Sequence, residues 1–221
     1  MNLATEQLTS VTSWLNSTFE SFDNVILSLL HNLALSAGDT FTPLFKGISL
    51  LAEKGILFII IAIVFMMFRK TRKLGICMFG AIACGAIITN FVLKDLIVRP
   101  RPFIANETYK LWWEAAGAVL EDGFSFPSGH ATATMAAMTA VFLCCNKKYS
   151  WIGFIFVILM GISRNYLMVH YPSDILGGVI SGLIGAVIAY YITKLIYYIL
   201  SKNPNNKFCK FVLEFSLSKD K

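Results

Sequence analysis

Three groups of polar residues interrupt an otherwise apolar chain. The first is Lys94, Arg99 and Arg101, and the second is Pro127-Ser128-Gly129-His130. The third runs from Ser163-Arg164 through His170 to Tyr171-Pro172-Ser173-Asp174. Phosphoryl transfer needs cations and oriented N–H donors around three equatorial oxygens, with nucleophile and leaving group in line. Lys94, Arg101 and Arg164 supply the cations, and the Ser128-Gly129 turn at the start of an apolar helix supplies the donors. His130 and His170 have ordinary pKa values near neutrality, which suits a nucleophile and a general acid. Asp174 follows His170 by four residues across Pro172, so the pair flanks a tight turn rather than one helix face. Such a turn brings the carboxylate onto one imidazole nitrogen and leaves the other free.

Each group alone has a plainer explanation. Cations at a helix end snorkel to the membrane surface. Ser128 and Ser173 are good helix caps, and an acid in a first turn, such as Asp174, offsets the helix dipole. The plain explanations lose force because all three groups fall on one side of the apolar segments. Arg164, inside the end of such a segment, also calls for an anion or a polar cavity.

Those segments follow from composition. The 221 residues are 56% hydrophobic and 14% charged, with a mean hydropathy of +0.65. A soluble domain carries about 25% charge, so a water-soluble globule is disfavoured, and disorder would need low hydrophobicity. A spanning helix takes about 20 apolar residues to cross roughly 30 Å of hydrocarbon. Five stretches qualify: Leu44–Phe68, Leu74–Leu93, His130–Cys145, Trp151–Val169 and Ile175–Leu200. Residues 1–41 hold one shorter apolar run, Val25–Leu35, broken by His31 and Asn32. It suits a helix lying in the interface; counted as a span, it makes six. The expected fold is therefore an all-α, polytopic membrane bundle. It comprises an N-terminal interfacial segment over 1–41, a membrane-embedded domain over 42–200 and a cytoplasmic, solvated tail over 201–221.

With five spans, loops 69–73, 146–150 and 201–221 share one side. That side, with Lys194, carries a balance of +10 against −4 for the other. Lys and Arg concentrate on the cytoplasmic side, which places the three polar groups and the N-terminus outside and the C-terminus in the cytoplasm. The overall charge of +6 is thus a topology signal, and no nucleic-acid partner is expected. The opening MNLATEQLTS lacks a basic region followed by an apolar core and cleavage site, so no cleaved signal peptide is expected. Four of the five cysteines, Cys77, Cys84, Cys144 and Cys145, lie in apolar runs, which disfavours a disulfide framework. The connection 94–129 is the one loop long enough to do more than connect. Its Tyr109, Trp112 and Trp113 read as an interfacial aromatic belt, or more sharply as a lid over a lipid headgroup.

The spaced set Lys94-x6-Arg101-Pro102, Pro127-Ser128-Gly129-His130 and Ser163-Arg164-x5-His170-x3-Asp174 resembles the three-motif signature of the type-2 phosphatidic acid phosphatase family. The likeness covers residues 94–174, and no motif position departs from it. It implies a metal-independent hydrolase of lipid phosphates or diphosphates, with no cofactor. It further implies that Lys94, Arg101, Arg164, Ser128 and Gly129 bind phosphate. His170 would be the nucleophile, His130 the acid, and Asp174 the residue that orients His170. The substrate would be a lipid whose phosphate sits in the outer headgroup layer: undecaprenyl diphosphate, phosphatidate or phosphatidylglycerophosphate. Two other classes are weaker. A transporter places its polar residues near the midplane, and the vanadate-dependent haloperoxidases, which have a similar anion site, are soluble. A catalytically silent assembly protein would have no need of a complete motif set.

Overall fold

The computed structural model describes residues 9–217. Among them the chain is all helix and turn, as the apolar runs predict. The elements are α1 (Ser10–Leu51), α2 (Ile56–Met66), α3 (Arg72–Ala86), α4 (Lys94–Ile97), α5 (Pro102–Ala105), α6 (Glu107–Ala115), α7 (Gly129–Cys144), α8 (Lys147–Ser150), α9 (Gly153–Tyr166), α10 (Pro172–Lys202) and α11 (Lys207–Glu214). A π-helical stretch, Ile87–Leu93, joins α3 to α4.

Two runs, Arg72–Ala105 and Pro172–Lys202, are long and apolar enough to cross a membrane. The bent pair of α1 and α2 makes a third, while α7, of 16 residues, and α9, of 14, are shorter. The expected single span Leu44–Phe68 is corrected here. It is split between the end of α1 and α2 by a 3₁₀ turn, Glu53–Gly55, across which the axis bends by 44°. Gly55 makes the bend at φ 71°, a left-handed conformation open to glycine at little cost. The border expected between residues 41 and 42 falls inside α1, which runs on through a break at Ala37 and through Pro43. Val25–Leu35 belongs to the same helix, with Leu27 fully buried.

Helix α10 is the axis of the bundle, packed along α7 and α3. Without water to drive helices together, association in a membrane depends on close backbone approach, which small residues permit. Gly178 and Gly182, four apart, provide it. A Cβ at Gly178 would lie 2.6 Å from Ser128 O, and one at Gly182 would lie 2.5 Å from Thr132 O. This seam brings the first turn of α7 against the first turn of α10, where Ser128 N donates to Asp174 O at 3.1 Å. Two of the three sequence groups are thereby joined.

The basic loops gather at the opposite end. Arg72 donates to Met66 O at 2.8 Å and to Val212 O at 2.6 Å, and also to Phe215 O. Residues 207–214, expected to be part of a solvated tail, form α11, whose C-terminal carbonyls that guanidinium satisfies. A cation is favourable at a helix C-terminus because it meets carbonyls that have no intrahelical donor.

Candidate active site

At the other end, a cavity of about 870 Å³ is lined by all three sequence groups, including Lys94, Arg101, Gly129, His130, Arg164 and His170. Arg164 closes the last turn of α9 and is fully buried. It donates to Ser49 Oγ of α1 and to Glu121 Oε1. Arg101 is 2% exposed and is gripped by backbone carbonyls: Gly123 at 3.0 Å, Asp122 at 2.7 Å and Val169 at 2.9 Å. Those contacts aim its fork at His170, where Nη1 lies 3.4 Å from Nε2. Glu121 Oε2 lies 3.6 Å from Arg101 Nη2, so one carboxylate bridges the two guanidinium groups. Burial pushes the Glu121 carboxyl up, but Arg164 and Arg101 outweigh it and hold the group below the usual carboxylate range.

His170 sits in the turn between α9 and α10 and is 1% exposed. Burial, then the positive charges of Arg101 and Arg164, push its pKa well below 6.5, so the imidazole is neutral with an available lone pair. Its Nδ1 lies 3.5 Å from Asp174 Oδ2 and 3.5 Å from Ser125 Oγ, and Ser125 donates in turn to Asp174. Asp174 thus flanks the imidazole across a turn, as its spacing suggested, at a distance longer than a good hydrogen bond. The cap of α10 differs from expectation. Tyr171 is the N-cap and its N–H donates to Asp174 Oδ2 at 2.8 Å. Pro172 takes the first helical position, where a missing N–H costs nothing, and Ser173 turns its hydroxyl to Asp23 instead.

The second group divides. Gly129 and His130 line the cavity, and no side-chain atom crowds the Cβ position of Gly129, which leaves the backbone open to a ligand. Ser128 is fully buried and its Oγ accepts from Ala131 N at 3.4 Å. Its oxygen therefore caps the helix, as its type suggested. His130 Nε2 lies 3.4 Å from Glu53 Oε2 and otherwise faces the cavity. Glu53, Glu121 and His130 offer ligand atoms within 4.8 Å of one another. The Glu121 member is already bound by guanidinium groups, so an incoming metal ion would face two positive charges.

The aromatic residues of the long loop are also re-read. Trp112 stacks on His31 of α1 at 4.5 Å, Trp113 stacks on Phe103 at 4.7 Å, and Tyr109 meets Tyr171 edge-on at 6.1 Å. Helix α6 thus packs against α1 through Trp112, against α5 through Trp113 and against the start of α10 through Tyr109.

Four contributors escaped the sequence reading: Glu53, Glu121, Ser125 and Asp23. Nothing in the spacing of Glu121 marks it as the bridge between two arginines. Asp23 did leave a signal. Thr12, Leu15, Asp23 and Leu27 are the buried residues along this part of α1, a helical stripe on which an acid requires a partner from another element.

Residues 74–198 match the model of the PAP2 superfamily, more than half the chain. Undecaprenyl-diphosphatase BcrC of Bacillus subtilis is 34% identical over 105 residues, covering 48% of this chain and 51% of that protein. The chain thus spans about half the length of that relative. A putative undecaprenyl-diphosphatase of Escherichia coli, YbjG, is 29% identical over 77% of this chain and 83% of its own. The crystal structure of a transmembrane PAP2-type phosphatidylglycerolphosphate phosphatase from Bacillus subtilis superposes with a TM-score of 0.62 at 26% identity, covering 86% of this chain and 91% of that one. The fold is therefore that of a membrane-embedded phosphatase, and the chain belongs to the PAP2 superfamily.

Proposed function

We propose that this protein hydrolyses the phosphomonoester or diphosphate of a membrane lipid, without a metal ion, through a phosphohistidine. The observation that carries the reading is Glu121: a carboxylate held between Arg101 and Arg164, beside a neutral His170. Two buried guanidinium groups around one carboxylate form a site for an anion, and a substrate phosphate that displaces Glu121 meets the lone pair of His170 Nε2. Lys94 and the N-terminus of α7 complete the cradle.

The steps follow from that placement. His170 Nε2 attacks phosphorus as the bond to the leaving oxygen breaks in line, and His130 donates the proton that oxygen needs. Asp174 stabilises the positive charge that develops on the His170 ring. His130, now a base, takes a proton from water; the hydroxide attacks phosphorus, the P–N bond breaks, and inorganic phosphate leaves. The cations supply the charge stabilisation that a metal pair provides elsewhere. The names of the relatives, undecaprenyl-diphosphatase and phosphatidylglycerophosphatase B, support undecaprenyl diphosphate or phosphatidylglycerophosphate as substrate, with phosphatidate as the third lipid that the sequence motifs imply. The charge split between the two ends supports an outward-facing site and a cytoplasmic C-terminus.

The test is phosphate release by the purified full chain in detergent from a panel of those three lipids, with and without EDTA. Release from at least one, undiminished by chelator, is expected. No release from any sinks the phosphatase reading, and loss on chelation with rescue by magnesium sinks the metal-free mechanism.

A further inference from the structure

A second polar cluster lies against His170, and none of its members lines the cavity. Its centre is Arg99, 1% exposed, which donates to Asp23 Oδ2 at 3.0 Å and to Asp174 Oδ1 at 2.6 Å. Ser173 lies between them: its N–H donates to Asp23 Oδ1 at 2.8 Å and its hydroxyl to Asp23 Oδ2 at 2.7 Å. Asn16 Oδ1 accepts from Arg99 Nε at 2.9 Å, and Tyr171 stacks under the guanidinium at 3.9 Å. Thr9 and Thr12 donate to the carbonyl of Ile97, two residues before Arg99. The first four turns of α1 therefore hold both the turn that carries Arg99 and the helix start that carries Asp174.

One guanidinium shared by two carboxylates leaves a negative charge over the trio. Removing the Asp23 charge would let Arg99 neutralise Asp174 alone, weakening that carboxylate as a partner for His170 Nδ1. It would also free the first turn of α10, because the N–H of Ser173 would lose its charged acceptor. We propose that Asp23 is a positioning residue which, through Arg99 and Ser173, sets the place and charge of Asp174 against the His170 ring. The kinetic part of this inference rests on the phosphatase reading; the structural part does not.

The test uses the full chain in detergent with ¹⁵N-labelled imidazoles. Only three histidines contribute signals, so single His→Gln variants assign them. Asp23→Asn is expected to shift the His170 Nδ1 resonance and to leave that of His130 in place. On the best lipid substrate, kcat should fall about ten- to a hundredfold, the scale of a small misplacement remote from the chemistry. KM and inhibition by inorganic phosphate should stay within about threefold, because the cradle is untouched. If Asp23→Asn does not fold, Asp23→Glu, which keeps the charge on a longer arm, is read for the same His170 shift. An unmoved His170 resonance, or a moved one with wild-type kcat, overturns the proposal. A moved resonance in Asp23→Asn, where the unsubstituted chain itself releases no phosphate from any lipid, upholds the positioning contact and sinks the phosphatase reading instead.

Discussion

Arg99 and Arg101 are separated by a single proline and do opposite things. Arg101 faces the cavity, with three backbone carbonyls fixing its fork and the Glu121 carboxylate farther off, at 3.6 Å. Arg99 faces the interior, satisfied by Asp23, Asp174, Ser173 and Asn16. A guanidinium held mainly by neutral carbonyls retains its charge for an incoming anion. One saturated by carboxylates has none to spare, and acts through what it holds. Val98, just before the pair, has a φ of 56°, costly for a β-branched residue; beyond it Arg99 reaches Asp174, which flanks Nδ1 of His170, and Arg101 reaches Nε2.

The sharpest way to test this front-and-rear division is to remove the histidine between them. His170→Ala should reduce activity to background on every substrate and yield no phosphoenzyme. His130→Ala should cost about 10²- to 10⁴-fold on lipid substrates, the usual worth of a general acid, and less on an activated aryl phosphate. With that aryl substrate an acid-labile, base-stable phosphoenzyme should accumulate, since no base remains to activate water. A label that persists in His170→Ala and vanishes in His130→Ala would exchange their roles.

Next come the arginines. Arg101→Gln should raise KM and weaken inhibition by inorganic phosphate, whereas Arg99→Gln should chiefly lower kcat; equal effects of both on KM would erase the distinction. Arg101→Gln also carries a pH signature. His170 is held below its ordinary pKa of 6.5 by burial and by Arg101 and Arg164, so the neutral ring persists below pH 6.5. Loss of one cation favours the protonated ring, so the acid limb of kcat/KM should move up toward 6.5. A limb that moves down or stays put would remove Arg101 from the surroundings of His170.

A smaller effect concerns Glu121. Glu121→Gln removes the resident anion, so inorganic phosphate should inhibit several-fold more strongly, about 1 kcal/mol for a lost competitor of this kind; weaker inhibition would mean that Glu121 helps to hold the phosphate. The last test leaves activity unchanged. In single-cysteine variants on intact cells, a cysteine at Asn106 should react with an impermeant thiol reagent and Cys209 should not, and the reverse pattern would turn the site to the cytoplasm.

How much of this was legible in the sequence depends on the range of the interaction. Apolar runs mark helices because the bilayer demands internally satisfied backbone, so α7, α9, α10, and α3 together with the π-helical stretch that continues it, were read within a few residues. The break at Gly55 was not, because an apolar run looks the same whether it is straight or bent. Lys94, Arg101, His130, Arg164 and His170 could be named because charged and imidazole groups in an apolar chain are costly and need a reason to be there. Ser128 was legible as a cap because a serine before an apolar run has an oxygen to offer the first free N–H groups of the helix.

By itself, then, the sequence determined the helical membrane class, the gathering of cationic and imidazole groups into three clusters and the uneven distribution of basic and acidic residues along the chain. These follow from local chemistry and from the order of residues along the chain. Only the tertiary structure decided which arginine faces the cavity, that Glu121 bridges two of them, and that Asp23 reaches Ser173 from 150 residues away. Such pairings depend on which helix faces meet, and that is set by the packing of α10 on α7 and of α1 on α9, which no single segment encodes.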